Sequence, residues 1–225
     1  MAGANNWARL RKLPEAVGHR QGAETLEQIV YASQDLGIGY LTAVAVSSEN
    51  ALASEKGASL PLGLFRQYLL NNVDSLNENN IKLRVIGERS SLPVDLNQLI
   101  SKAEVMTEGN SGLSLTLMVN FGGRQEILSG VRQFCEQVKN GTINPANLDE
   151  EDFEKYLDTY DLPDPDLVIW TGGIVQLSNS LLWEVAYSEF LFLDTPWPDF
   201  TALDLKAAVK EFGRRERRFG HASGH

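Results

Sequence analysis

The chain has 225 residues, of which 43% are hydrophobic and 22% charged, an ordinary composition for a globular protein and enough for one large domain or two small ones. Its formal net charge of −10 argues against nucleic acid or an anionic membrane surface as a general partner, because both need a basic footprint. A single cysteine, Cys135, excludes an internal disulfide, no signal peptide is evident, and no apolar run reaches the roughly 18 residues of a membrane span. A cytoplasmic protein with at most peripheral membrane contact is expected.

In chain order, the opening "MAGANNWARLRKLPEAVGHRQGAE" reads as polar and turn-like. "AETLEQIVYASQDLG" is a helix that ends on Gly37, a suitable C-cap. "YLTAVAVS" is a buried strand, "LPLGLFRQYLLNNVDSL" a helix and "KLRVIG" a second strand. "PVDLNQLISKAEVMTEGN" is a helix with Pro93 near its start and Gly109 after its end. "LSLTLMVNF" is a third strand, and "GRQEILSGVRQFCEQVKNG" is a helix in which Cys135 is expected as a small core residue. "DEEDFEKYLDT" is a short helix, "DLVIW" a strand, "SNSLLWEVAYSEF" a helix and "ALDLKAAVKEFGRRERRFG" the last helix.

Strands alternate with helices, and the strands are near-continuous apolar runs, as expected when both faces are covered. The fold class is therefore α/β: an open, mostly parallel β-sheet flanked by helices, in one domain over residues 1–225. No strand precedes the first helix, although a fold of this type normally opens with one. Ligands of such sheets bind beyond the carboxyl ends of the strands. Those ends place the candidate site in residues 47–53, 87–89, 120–124 and 170–179.

"WTGGIVQLSN" joins a strand to an expected helix, where backbone N–H groups bind anions and Ser178 or Asn179 caps the helix. The alternative is that Gly172 and Gly173 make only a tight turn. "VNFGGRQE" repeats the layout, with Arg124 free to meet a phosphate, Glu126 or another carboxylate. Asn50 either enters the cleft or makes an Asx turn. His19, read as lying before the first helix, is either a phosphate or proton-transfer group or a histidine with an interior hydrogen bond. The carboxylates read as scattered over polar helix faces. Arg214 to Gly220 holds a basic cluster that either complements a helix end or meets a partner. No nucleophile triad, metal-ligand spacing or phosphate loop is present.

Taken together, "LPEAVGHRQGAETL", "LGIGYLTAVAVSSEN", "LRVIGERSSLP", "MTEGNSGLSLTLMVNFGGRQEI", "LPDPDLVIWTGGIVQLSNSLLWEVAYSEFLFLDTPWPDF" and "RRERRFG" resemble the cis-prenyltransferases, the family of undecaprenyl diphosphate synthase, over nearly the whole chain. The resemblance implies that fold, a dimer, and elongation of an allylic diphosphate by isopentenyl diphosphate in an apolar tunnel. It also implies Mg²⁺ as cofactor and cations that hold two diphosphates. Matching positions that remain are His19, Asn50, Arg124, Gly172, Gly173, Ser178, Asn179, Arg218 and Gly220, with Glu189 a weak metal candidate. Others are altered. The family motif Met-Asp-Gly-Asn-x-Arg-Trp-Ala reads here with Ala2 at the metal-binding aspartate, Ala4 at the asparagine and Asn6 at the arginine. Glu15 stands at a second arginine, Ala53 in the Asn-Trp-x-Arg-Pro run, and Gly57 at a glutamate. In Arg-Thr-Gly-Gly-Glu-x-Arg-x-Ser-Asn, Trp170, Ile174 and Gln176 replace the two arginines and the glutamate.

The resemblance thus implies the family fold with a neutralised diphosphate site, no assignable catalytic residue, and no confident cofactor because Ala2 holds the principal Mg²⁺ position. The expected function is a non-catalytic or accessory subunit, forming a homodimer or a heterodimer with an active homologue. One alternative is a repurposed apolar tunnel that binds or converts another isoprenoid or hydrophobic ligand. Another is an active synthase with ligands relocated to Glu49, Asp194 or Glu189.

Overall fold

The run "SLTLMVNF" has almost no polar face to offer water, and in the computed structural model it is the middle strand of the main sheet. The structure describes residues 3–47 and 55–215, apart from the side chains of residues 55–59. Strands β1 (Tyr40–Ser47), β2 (Lys82–Ile86) and β3 (Ser114–Phe121) pair in parallel in the order β1-β3-β2. Leu115, Leu117 and Val119 of β3 are fully buried, packed with Leu69 and Leu76 from helix α3 (Glu55–Glu78) and Leu96 and Ile100 from helix α4 (Val94–Thr107). Strands β4 (Leu167–Trp170) and β5 (Glu189–Phe192) form a second parallel pair. The remaining helices are α1 (Ala4–Leu10), α2 (Glu15–Asp35), α5 (Gly123–Lys139), α6 (Glu150–Glu154) and α7 (Ala202–Phe212). The fold is α/β with parallel sheets flanked by helices, though the strands divide between two sheets instead of one.

Three local expectations change. The opening segment is helical, not turn-like: α1 buries Ala4, Trp7 and Ala8, and α2 begins at Glu15. The two helices meet at Gly18, where a Cβ would lie 2.3 Å from the Ala4 carbonyl oxygen, so only glycine allows the approach. His19 therefore sits inside α2 and not before it. The second change is at residues 178–190, where turns and β5 replace the expected helix. Ser178, Asn179 and Leu181 have φ of 48°, 55° and 47°, a left-handed backbone that no α-helix contains. The third is Cys135, which is exposed. Helix α5 turns Gly123, Glu126 and Gly130 inward, and Cys135 lies off that stripe.

Among the described residues, no helix is long and apolar enough to cross a membrane.

Candidate functional site

A cleft of about 370 Å³ opens where β1, β3 and β4 end. Val44, Val46, Pro61 and Phe121 give it apolar walls, and Trp170, the last residue of β4, stands at one side. His19 and Ala4 reach it from α2 and α1, and Gln176, Ser178, Asn179 and Ser180 reach it from the loop after β4. None of its described lining residues is Arg, Lys, Asp or Glu. His19 adds no charge at neutral pH, because burial pushes its pKa below 6.5, only partly opposed by Glu15. The Trp170 Nε1–H is buried and has no hydrogen-bond acceptor among the described residues.

Both Gly-Gly junctions have the strand-to-turn layout that offers backbone N–H groups to an anion, and both are already occupied. Gly172 and Gly173, with φ of 84° and 70°, donate their N–H groups to the Thr195 and Leu193 carbonyls at 2.8 and 2.9 Å. At the second junction, Gly123 N–H donates to the Asn179 carbonyl at 2.8 Å, and Arg124 N–H to Asn179 Oδ1 at 3.0 Å. Asn179 was expected to cap a helix of its own. Its left-handed backbone instead turns both oxygens onto the start of α5, which has no side-chain cap from its own N-cap residue, Gly122. Gly123 makes this contact possible, since a Cβ there would lie 2.8 Å from Leu182 Cγ.

The other expected site residues scatter. Asn6 is exposed on α1, and its Oδ1 accepts from Arg9 Nη2 at 2.8 Å. Glu15 is exposed in the first turn of α2, where a carboxylate complements the helix dipole. The Arg124 guanidinium is exposed with no ion pair among the described residues, and Glu126 turns away from it into the interior. Gly172, Gly173 and Ile174 do not line the cleft. Glu189 forms an ion pair with Arg215 at 3.3 Å, and Asp194 is exposed near Gly173. Ala2, Glu49, Asn50, Ala53, Arg218 and Gly220 lie outside the described residues, and of the Gly57 position only its place in α3 is described. No group of three or more His, Cys, Asp or Glu side chains able to hold a metal exists among the described residues. The Mg²⁺ implied by the resemblance therefore does not fit the described cleft, which offers it no carboxylate.

One acidic pair escaped the sequence reading, which placed the carboxylates on polar faces. Glu126 and Glu184 are 6% and 5% exposed. The Thr159 hydroxyl donates to Glu184 Oε1 at 2.5 Å, and Asp158 N–H donates to Glu126 Oε1 at 3.1 Å. The Oε2 atom of each is buried without a hydrogen-bond partner among the described residues. Burial, then the charges of Glu184 and Asp158, push the Glu126 pKa up to about 8, so Glu126 holds a proton at neutral pH. The available sequence signal was a carboxylate placed between Gly123 and Gly130 at i, i+3 and i+7 on one helix stripe.

The geometry defines an α/β protein with an apolar, uncharged cleft at its strand ends. Residues 1–220 match the Prenyltransf family model, that of undecaprenyl diphosphate synthase. The chain is 45% identical over 220 residues to an isoprenyl transferase of Brucella suis, covering 98% of this chain and 87% of that one. It is 46% identical over 222 residues to isoprenyl transferase 2 of Bradyrhizobium diazoefficiens, with 98% and 87% covered. The structure of lavandulyl diphosphate synthase from Lavandula x intermedia, in complex with dimethylallyl diphosphate, superposes with a TM-score of 0.93 at 32% identity, over 97% of this chain and 94% of that one. The chain belongs to the isoprenyl transferase family, the cis-prenyltransferases.

Proposed function

We propose that this chain is a non-elongating member of the isoprenyl transferase family: a cytoplasmic dimer subunit that keeps the fold without condensing diphosphates on its own. The observation that carries this reading is the absence of any Arg, Lys, Asp or Glu from the described lining of the cleft. A diphosphate brings several negative charges, and taking them out of water without cations is strongly unfavourable. Each charge-assisted contact missing from such a site removes roughly 1.5–3 kcal/mol. The backbone donors do not compensate, because Gly172, Gly173, Gly123 and Arg124 already give their N–H groups to protein oxygens. Leu128, Val131, Tyr187 and Phe192 leave apolar surface exposed on α5 and around β5, which suits contact with a second subunit.

The test is incorporation of radiolabelled isopentenyl diphosphate with farnesyl diphosphate and Mg²⁺. It uses the purified chain alone, then mixed with a catalytically intact homologue. No incorporation alone, with a changed rate or product length in the mixture, is the expected result. Turnover by the chain alone overturns the reading and means that an active site has been rebuilt from other residues. Silence in both arms removes the accessory role and leaves the non-elongating one.

A further inference from the structure

Glu126 and Glu184 stand within reach of one hydroxyl. Thr159 Oγ1 donates its proton to Glu184 Oε1 at 2.5 Å, and the same oxygen lies 3.5 Å from Glu126 Oε1. A hydroxyl has one proton and serves one carboxylate at a time. The two side chains are 6% and 5% exposed, and the Oε2 of each has no hydrogen-bond partner among the described residues. Two carboxylates held so close in the interior do not both ionise, so one proton belongs to the pair. The charges around them are mostly acidic. Asp158 adds its charge to that of Glu184 on Glu126, and Asp164 lies in the field of Glu154 and Glu184. The cations Arg84 and Arg89 bear on Asp158 and are opposed there by Glu88.

Three stretches of chain meet at this pair. Glu126 belongs to α5, Thr159 to the segment after α6, and Glu184 to the turns at 182–187. Those turns leave the cleft wall at Asn179 and Ser180 and run into β5. Leu182 lies against Gly123, and the Trp183 Nε1–H donates to Glu154 Oε1 at 3.2 Å. We propose that Glu126 and Glu184 form a proton-operated latch: the shared proton clamps the 182–187 turns onto α5, and its loss to solvent drives the two carboxylates apart, freeing the turns and with them the cleft wall at Asn179 and Ser180. The turns yield and not α5, because α5 is a 17-residue helix whereas 182–187 has no helical or strand ladder. Burial first, then the charges of Glu184 and Asp158, lift Glu126 from an ordinary 4.5 to about 8 in the closed arrangement. The closed latch therefore holds a proton that the open one releases. Closure is strongest below pH 4.5, weakens as pH rises, and levels off above about 8.

Amide hydrogen exchange of the full chain is followed by mass spectrometry at about pH 6 and about pH 9, each rate corrected for intrinsic exchange, to read local opening. Peptides spanning residues 180–188 are expected to open roughly tenfold or more further at the higher pH, while peptides of β3 do not. Glu184→Gln keeps an oxygen for the Thr159 hydroxyl and cannot ionise, so the gain should vanish. Glu126→Gln tests the latch from α5 and should abolish the gain as well, with circular dichroism as the check that each variant is folded. A parent whose 180–188 peptides open equally at both pH values overturns the latch. So does a gain that persists in either folded variant. An equal gain in β3 overturns it too, because the pair would then govern the whole fold and not the turns.

Discussion

Beyond the end of β2 lies a second cleft of about 390 Å³, against about 370 Å³ for the one beside Trp170. Arg84, Arg89, Glu104, Lys155 and Asp158 line it. The three cations are each paired: Arg84 with Asp161, Arg89 with Glu104 at 3.0 Å and Lys155 with Asp152 at 2.7 Å. Two hollows at the strand ends of one sheet thus reach neutrality by opposite routes. The β2 hollow holds many ions that satisfy each other, and the Trp170 cleft has no Arg, Lys, Asp or Glu in its described lining. The lack of charge at Trp170 is therefore local and does not follow from the composition. A paired cluster resists a new charged ligand, because the ligand must displace a partner. An uncharged cleft resists it by desolvation alone, so a few substitutions should reverse its preference.

The largest effect should come from putting charge into the uncharged cleft. Trp170→Arg with Gln176→Arg adds two cations at its rim. Farnesyl diphosphate binding, measured by calorimetry with Mg²⁺, should tighten about a hundredfold or more, from two charge-assisted contacts of roughly 1.5–3 kcal/mol each. An unchanged affinity would mean that something other than the missing cations excludes the diphosphate.

Next in size is the buried acid pair, two carboxyl groups in the interior with no cation paired to them among the described residues. The folded pKa of Glu126 is about 8 against an ordinary 4.5, so between those values the folded chain binds more protons than the unfolded one. Stability should accordingly fall as pH rises from 4.5 towards 8 and level off above. Glu184→Gln keeps an oxygen for the Thr159 hydroxyl and offers an N–H to Glu126. The variant should match the parent near pH 5 and exceed it by about 1–3 kcal/mol at pH 8 in urea unfolding. A parent whose stability is flat across that range would show that the pair does not share a proton.

The strands and long helices could be read from the sequence because their cause is local. Apolar runs such as "SLTLMVNF" and 3.6-residue periodicity in "AETLEQIVYASQDLG" carry the information themselves. What failed depended on contacts distant in sequence. "SNSLLWEVAYSEF" has a helical pattern, yet Asn179 is committed to α5, some 55 residues earlier, and its left-handed backbone ends any helix there. The opening segment looks polar, and only the approach of Ala4 to Gly18 shows that α1 has a partner. The neutral character of the cleft was legible at Trp170 and Gln176, since both stand where the family pattern has an arginine. Its occupied backbone donors were not, because the carbonyls of Leu193, Thr195 and Asn179 reach them through tertiary folding.

The contact between the two Gly-Gly loops can be weighed directly. Asn179→Ala removes the oxygen that accepts from Arg124 N–H and puts alanine at φ of 55°. The expected loss is about 1–2 kcal/mol in thermal or urea unfolding, the usual size of a lost helix cap. Asn179→Gly separates the two causes: it keeps the left-handed backbone comfortable while still deleting the cap, so it should lose less than the alanine variant. Equal losses would assign the whole effect to the hydrogen bond.

The smallest effect belongs to the charged cleft. Arg84 pairs with Asp161 and donates to the Asp158 carbonyl, with side-chain exposures of 26% and 51% for the ion pair. Partly solvated pairs of this kind contribute about 0–1 kcal/mol, because water screens them and both side chains lose rotamer freedom. Arg84→Met keeps the aliphatic stem and should cost no more than that at low salt, with little difference left at about 1 M salt, where the Debye length is only about 3 Å. A loss several times larger, insensitive to salt, would mean that the β2 cleft is organised around Arg84 and not merely lined by it. The two clefts would then differ in what their charges do as well as in how many they hold: in one a cation builds the local structure, and in the other its absence sets which ligand can enter.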